Sequence, residues 1–151
     1  MQLAKRKLPR LDGYDYSNAN HYFITICTHE KNCIFGSIDI TNEFGKIAEN
    51  ELKNIKSHFE YVYVDKYVVM PNHIHAIIVI ENVEKTPNLS TVVGSYKSGV
   101  TKTIHSYDPK LKVWQKSYYD RIIRNDEEYK KICKYIDENH HKLRCIKNGC
   151  I

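Results

Sequence analysis

Val68-Val69-Met70-Pro71-Asn72-His73-Ile74-His75-Ala76-Ile77-Ile78-Val79-Ile80 decides how this chain is read. An apolar run enters a Pro-Asn turn, and a second apolar run leaves it carrying two histidines one residue apart. Side chains on a strand alternate faces with a period of two, so His73 and His75 share a face and Ile74 takes the other. Many His-x-His pairs are ordinary sheet residues. This pair stands in an otherwise strongly apolar strand, where a polar ring needs a hydrogen-bond or metal partner. Two neutral imidazoles on a rigid strand can hold a divalent ion, and the strand itself sets their separation.

The surrounding chain frames that hairpin. Its 151 residues suit one domain, 1–151, with residues 1–19 as a basic, polar arm. The start, Met1-Gln2-Leu3-Ala4-Lys5-Arg6-Lys7, lacks the apolar stretch of a secretory signal. No run approaches the roughly 20 apolar residues that span a bilayer. A cytoplasmic protein without a membrane partner is expected. Cys27, Cys33, Cys133, Cys145 and Cys150 are odd in number and lack C-x-x-C spacing, so reduced thiols are expected.

The net charge of +5 matters mainly through its arrangement. Lys5, Arg6, Lys7 and Arg10 open the chain, followed closely by Tyr14, Tyr16 and Tyr22. Cations attract phosphate and aromatic rings stack on unpaired bases, which favours single-stranded nucleic acid as the partner of this arm. Lys97, Lys102, Lys110, Lys112 and Lys116 are more scattered and read as solvated lysines.

Along the chain, residues 21–29 are rich in β-branched and aromatic types and read as a strand. Thr41 can cap a helix over 41–59, with Phe44, Ile47, Ala48, Leu52 and Ile55 along one stripe. Residues 61–69 form a second strand, and the His-bearing strand is the third. Residues 89–105 read as a helix weakened by Gly94 and Gly99, and 118–123 as a fourth strand. In the last helix Asn125 is the N-cap and Glu128 stands at the capping-box position. Tyr129, Ile132, Cys133 and Ile136 form its buried stripe. Tyr135 falls about 100° from that stripe, at the border of the buried face, and Asn139 lies one turn beyond. The order strand, helix, strand, strand, helix, strand, helix predicts an α+β domain. Its antiparallel sheet would carry helices on one face, as in ferredoxin-like or RNA-recognition-motif-like folds.

Two histidines are too few for a closed structural zinc site. Asn139 offers a carbonyl oxygen and Tyr135 a hydroxyl, so docking of the last helix beside the third strand would bring a metal site and a nucleophile together. A phenol of pKa about 10 attacks poorly unless its electrophile is activated, which a metal on a phosphate oxygen achieves.

These residues resemble the single-tyrosine, HUH-type DNA transposases, especially the small REP-associated tyrosine transposases and their insertion-sequence relatives. His73-Ile74-His75 matches the histidine-hydrophobic-histidine motif in its V-V-M-P-N-H-I-H setting. Trp114-Gln115-Lys116-Ser117-Tyr118-Tyr119-Asp120-Arg121-Ile122-Ile123-Arg124-Asn125 resembles the segment before the catalytic helix. Gly13-Tyr14-Asp15-Tyr16 and Tyr22-Phe23-Ile24-Thr25 match the opening pattern. The resemblance implies that Tyr135 is the nucleophile and that His73, His75 and Asn139 hold Mg²⁺ or Mn²⁺. It implies single-stranded or hairpin DNA as substrate, cut and rejoined through a 5′-phosphotyrosine, with Lys5, Arg6, Lys7, Arg10 and Tyr14 on the DNA. After Asn139 the chain departs from the usual proline and continues with His140, His141 and Lys142. Monomer and homodimer both remain open, as does use of Tyr135 in its own or a partner's site. Two other classes share the pattern in part. A non-catalytic single-stranded nucleic-acid-binding module would need no metal, and a small metallohydrolase would use water and form no covalent protein–DNA species.

Overall fold

The computed structural model describes residues 19–81, 84 and 86–146, with side chains up to residue 139 in the last helix. Four strands, β1 (Ala19–Cys27), β2 (Val62–Met70), β3 (His73–Glu81) and β4 (Tyr119–Ile123), form one sheet in the order β2-β3-β1-β4. Each neighbouring pair is antiparallel. The helices are α1 (Glu43–Lys53), the short α2 (Ile55–His58), α3 (Leu89–His105) and α4 (Asp126–Ile146). Their order and the strand order are those of the ferredoxin-like α+β fold expected from the sequence.

Alternation divides the sheet into two cores. Ile24, Ile26, Ile74, Ala76 and Ile78 face α1 and α3, where Ala48, Leu52, Val92, Val93, Tyr96 and Val100 close over them. The other face carries Ile77, Val79 and Ile123 and is covered by Tyr129, Ile132 and Ile136 of α4. The one-sided cover expected from the element order therefore holds for α1 and α3, while α4 lies on the opposite face. The physical reason is parity: β3 is apolar at both odd and even positions, so each face of it needs a helix.

The caps explain where the helices begin. Asn88 Oδ1 accepts from Thr91 N at 2.9 Å, and α3 spans the expected 89–105. For α1 the cap is Asn42, accepting from Gly45 N at 2.9 Å, one residue after the expected Thr41. The predicted 41–59 helix breaks at Asn54 into α1 and α2. At α4, Asn125 Oδ1 accepts from Glu128 N at 2.9 Å, and Glu128 Oε1 returns by accepting from Arg124 N at 2.7 Å. Cys27 and Cys133 are free thiols as expected, but Cys33 is disulfide-bonded. The missing C-x-x-C spacing excludes only a local clip. Among the described residues no helix is long and apolar enough to cross a membrane.

Candidate active site

The β2–β3 turn is held from outside the hairpin. The Thr28 amide and hydroxyl donate to the Asn72 carbonyl at 3.0 and 3.1 Å, and Phe35 N donates to the Pro71 carbonyl at 3.0 Å. The Asn72 side-chain nitrogen donates to the Lys31 carbonyl at 3.4 Å, which turns its Oδ1 toward His73 Nδ1, 2.8 Å away. On its other side the ring presents Nε2 to Asn139 Oδ1 at 3.2 Å. An amide oxygen can only accept, so the single proton of the neutral ring serves one of these two oxygens and leaves the other ring nitrogen with a lone pair.

The second histidine is oriented in the same manner. In the β1–β3 register Thr25 lies opposite His75, and Thr25 Oγ1 is 3.0 Å from His75 Nδ1. The ring also hydrogen-bonds the backbone of Ile24, and Phe23 stacks on it with centroids 5.3 Å apart. With Nδ1 engaged by Thr25, Nε2 is left for a ligand, the arrangement by which outer groups fix metal-ligating histidines. The two imidazole centroids are 4.7 Å apart.

Helix α4 brings the remaining groups. Its stripe of Tyr129, Ile132 and Ile136 sits on the sheet, and two polar contacts to β2 set its position. A register shift between Val64 and Lys66 leaves Asp65 as the extra residue, and Tyr129 Oη donates to Asp65 Oδ2 at 2.5 Å. Lys66 Nζ pairs with Asp137 Oδ1 at 2.8 Å. Docked this way, Asn139 is 7% exposed against His73, whereas Tyr135 keeps 38% of its surface open. The Tyr135 ring lies 5.2 Å from the His75 ring, within its own chain. The helical positions placed Tyr135 at the border of the buried face with Asn139 one turn on; the structure buries the amide and leaves the phenol accessible.

Electrostatics favour neutral imidazoles. Burial, together with the neighbouring His73, lowers His75 to about 3, and burial lowers His73 as well, against the hydrogen bond to Asn139 and with the Lys31 charge. Both rings therefore offer lone pairs at neutral pH. Among the described residues no group of three His, Cys, Asp or Glu side chains is placed to hold a metal. The Asn139 amide oxygen, facing His73 Nε2, is an oxygen donor beside the two rings. Mixed imidazole and amide donors suit Mn²⁺ well, whereas Mg²⁺ prefers an oxygen shell.

A family model for IS200-like transposases matches residues 16–139, a span holding both histidines, Tyr135 and Asn139. The chain belongs to this family. It is a DNA transposase with the α+β fold of its relatives. An uncharacterized Haemophilus influenzae protein is 36% identical to this transposase, over 89% of this chain and 87% of that one. Among solved structures, a REP-associated tyrosine transposase bound to a REP hairpin superposes with a TM-score of 0.67. It is 17% identical and covers 95% of this chain and 76% of its own. A putative transposase from Deinococcus radiodurans R1 gives a TM-score of 0.57 at 18% identity, covering 88% and 98%. At these identities the structural matches speak for the fold alone.

The transposase thus brings His73, His75, Asn139 and Tyr135 together. Lys5, Arg6, Lys7, Arg10 and Tyr14 lie outside the described residues, as do the side chains of His140 and His141. Sequence reading missed Asn72, Thr25 and Phe23. Asn72 could have been noticed as the polar residue beside His73. Thr25 and Phe23 join the site only through strand register.

Proposed function

We propose that this transposase cleaves and rejoins single-stranded DNA through a 5′-phosphotyrosine at Tyr135. The observation that carries the reading is the meeting of an accessible phenol with His75 on the helix that also presents Asn139 to His73. Tyr135 Oη attacks the scissile phosphorus, and the bond from phosphorus to the 3′ oxygen breaks. The phenol proton is lost to solvent, and the departing 3′ oxygen ends as a hydroxyl. In the reverse step a 3′-hydroxyl attacks the phosphotyrosine and restores the phenol. The broken phosphodiester is conserved in the covalent link, so rejoining needs no ATP. His73, His75 and Asn139 would hold a divalent ion, Mn²⁺ or Mg²⁺, whose contribution when bound is to polarise a phosphate oxygen. The neutral state of both histidines and their fixed rings support that assignment. Phe23 and Thr25 keep the His75 ring from rotating, and α4 holds the phenol beside it.

Hairpin DNA is the proposed substrate, supported by the fold shared with a transposase whose structure contains a REP hairpin. The basic arm, Lys5, Arg6, Lys7 and Arg10 with Tyr14, is assigned to the DNA backbone on charge alone. The test uses labelled single-stranded DNA from the flanks of the gene, incubated with Mn²⁺ and run on a denaturing gel. Wild type should yield a protein–DNA adduct on the 5′ end of the cut, and Tyr135→Phe should bind DNA without forming one. Cleavage without any adduct would make water the nucleophile and end the phosphotyrosine reading.

A further inference from the structure

The sheet face that carries the histidines continues past them toward β4. Thr25 lies opposite His75 on one side and opposite Tyr119 on the other, so the three side chains form a row across β3, β1 and β4. Neighbouring strands are about 4.8 Å apart, which sets the Tyr119 backbone about 10 Å from that of His75. Helix α4 covers this face only at the far end of β4, where Ile123 is buried; Tyr119 is 67% exposed. It has no side-chain hydrogen bond or ring partner among the described residues.

A single exposed tyrosine is ordinary on a protein surface. This one is distinguished by its row and by its charged neighbour. Arg121 follows on the same face of β4 with 56% of its side chain open, its guanidinium 3.6 Å from Glu128 Oε2. An exposed ring beside a guanidinium, continuous with a site for a phosphate, is the composition of a single-strand track: a cation for the backbone, a ring for the base.

We propose that Tyr119 is a stacking platform for an unpaired base of the DNA strand whose scissile phosphate lies at His73, His75 and Tyr135. The location of that phosphate rests on the function proposed above; the stacking does not depend on the covalent chemistry. Tyr119 holds the strand in register one or two nucleotides from the cut and takes no part in bond breaking. Stacking is tolerant of sequence, so the platform would contribute to affinity for any unpaired base and leave hairpin choice to other contacts.

Fluorescein-labelled dT20 and a blunt duplex of the same length test this by anisotropy. Tyr119→Ala should weaken dT20 binding at least about fivefold, the low end for removal of one stacked base, and leave duplex binding unchanged. Tyr119→Phe keeps the ring and should bind dT20 as wild type does. Thermal melting of Tyr119→Ala should match wild type because the side chain is exposed. A loss of less than fivefold, an equal loss on duplex, failure of Tyr119→Phe to restore binding, or no binding of dT20 by wild type would each overturn the platform. Wild type that binds dT20 through Tyr119 but forms no adduct on its flanking DNA would sustain the platform and refute the phosphotyrosine alone.

Discussion

Thr25→Val tests whether the histidine site is tuned from its second layer. The change replaces a hydroxyl by a methyl of nearly equal size on a half-buried strand position, and valine is a good strand former. What disappears is the contact between Thr25 Oγ1 and His75 Nδ1 at 3.0 Å. Removing such a partner from a metal-ligating histidine generally costs about 10–100-fold in metal affinity or activity, or roughly 1.4–2.8 kcal/mol. The low end applies here. The His75 ring keeps its hydrogen bond to the Ile24 backbone and its stack on Phe23, so it loses only part of its restraint. We expect the half-saturating Mn²⁺ concentration for adduct formation to rise about tenfold, with near-normal yield at saturating metal. Thr25→Ser, which retains an oxygen, should sit close to wild type. Free Mn²⁺ measured by electron paramagnetic resonance gives the affinity without relying on activity. Equal Mn²⁺ affinity in wild type and Thr25→Val would show that the Thr25 hydroxyl does not orient this histidine.

Other expectations follow from the same structure. His73→Ala and His75→Ala should each abolish Mn²⁺-dependent cleavage with circular dichroism unchanged; wild-type cleavage by both variants would refute the metal assignment. Tyr129→Phe removes a hydrogen bond to the Asp65 carboxylate worth about 1.5–3 kcal/mol, so a drop in melting temperature of roughly 3–12 °C is expected; a shift under 1 °C would mean that α4 does not depend on this contact. Burial, with the hydrogen bond and charge of Glu49, pushes Tyr67 up to about 12. Its neutral form therefore contributes stability that is complete below pH 10 and is lost as pH rises toward 12. Urea midpoints followed across that window should fall less steeply in Tyr67→Phe, and identical slopes would contradict this. Deleting residues 1–10 should flatten the salt dependence of DNA affinity, because each of the four cations there releases about one counterion; an unchanged slope would make the arm a bystander.

Much of the architecture was legible in the sequence because it rests on periodicity. The His73–His75 pair follows from the period of two, and the separation of Tyr129 from Tyr135 follows from 100° per residue on a helix. The 89–105 helix was read at its observed bounds, and the structure adds that Asn88 closes its first turn. Position across the sheet was less legible. Whether α4 lies above or below depends on which parity of β3 remains uncovered, and β3 is apolar on both. Thr25 and Phe23 join the site through cross-strand register, which no local pattern encodes. The start of α1 differed by one residue because Thr41 and Asn42 can both cap, and only the fold selects the Asn42 contact with Gly45.

The division of labour between sheet and α4 has a genetic consequence. The histidines are encoded before residue 80, whereas the phenol and the amide come after residue 130, on the helix that, among the described residues, covers Ile77, Val79 and Ile123. A nonsense codon just beyond β4 would remove the proposed strand-cutting group, yet it would also strip an apolar sheet face of its cover. An allele of that kind loses its fold along with its chemistry. A host that came to use this protein only for holding DNA would therefore have to retain the entire helix and silence it by a point change, such as Tyr135→Phe. Selection for a folded product alone preserves the scaffold of the proposed nucleophile, so on this reading a copy that has stopped moving stays one codon away from an active enzyme.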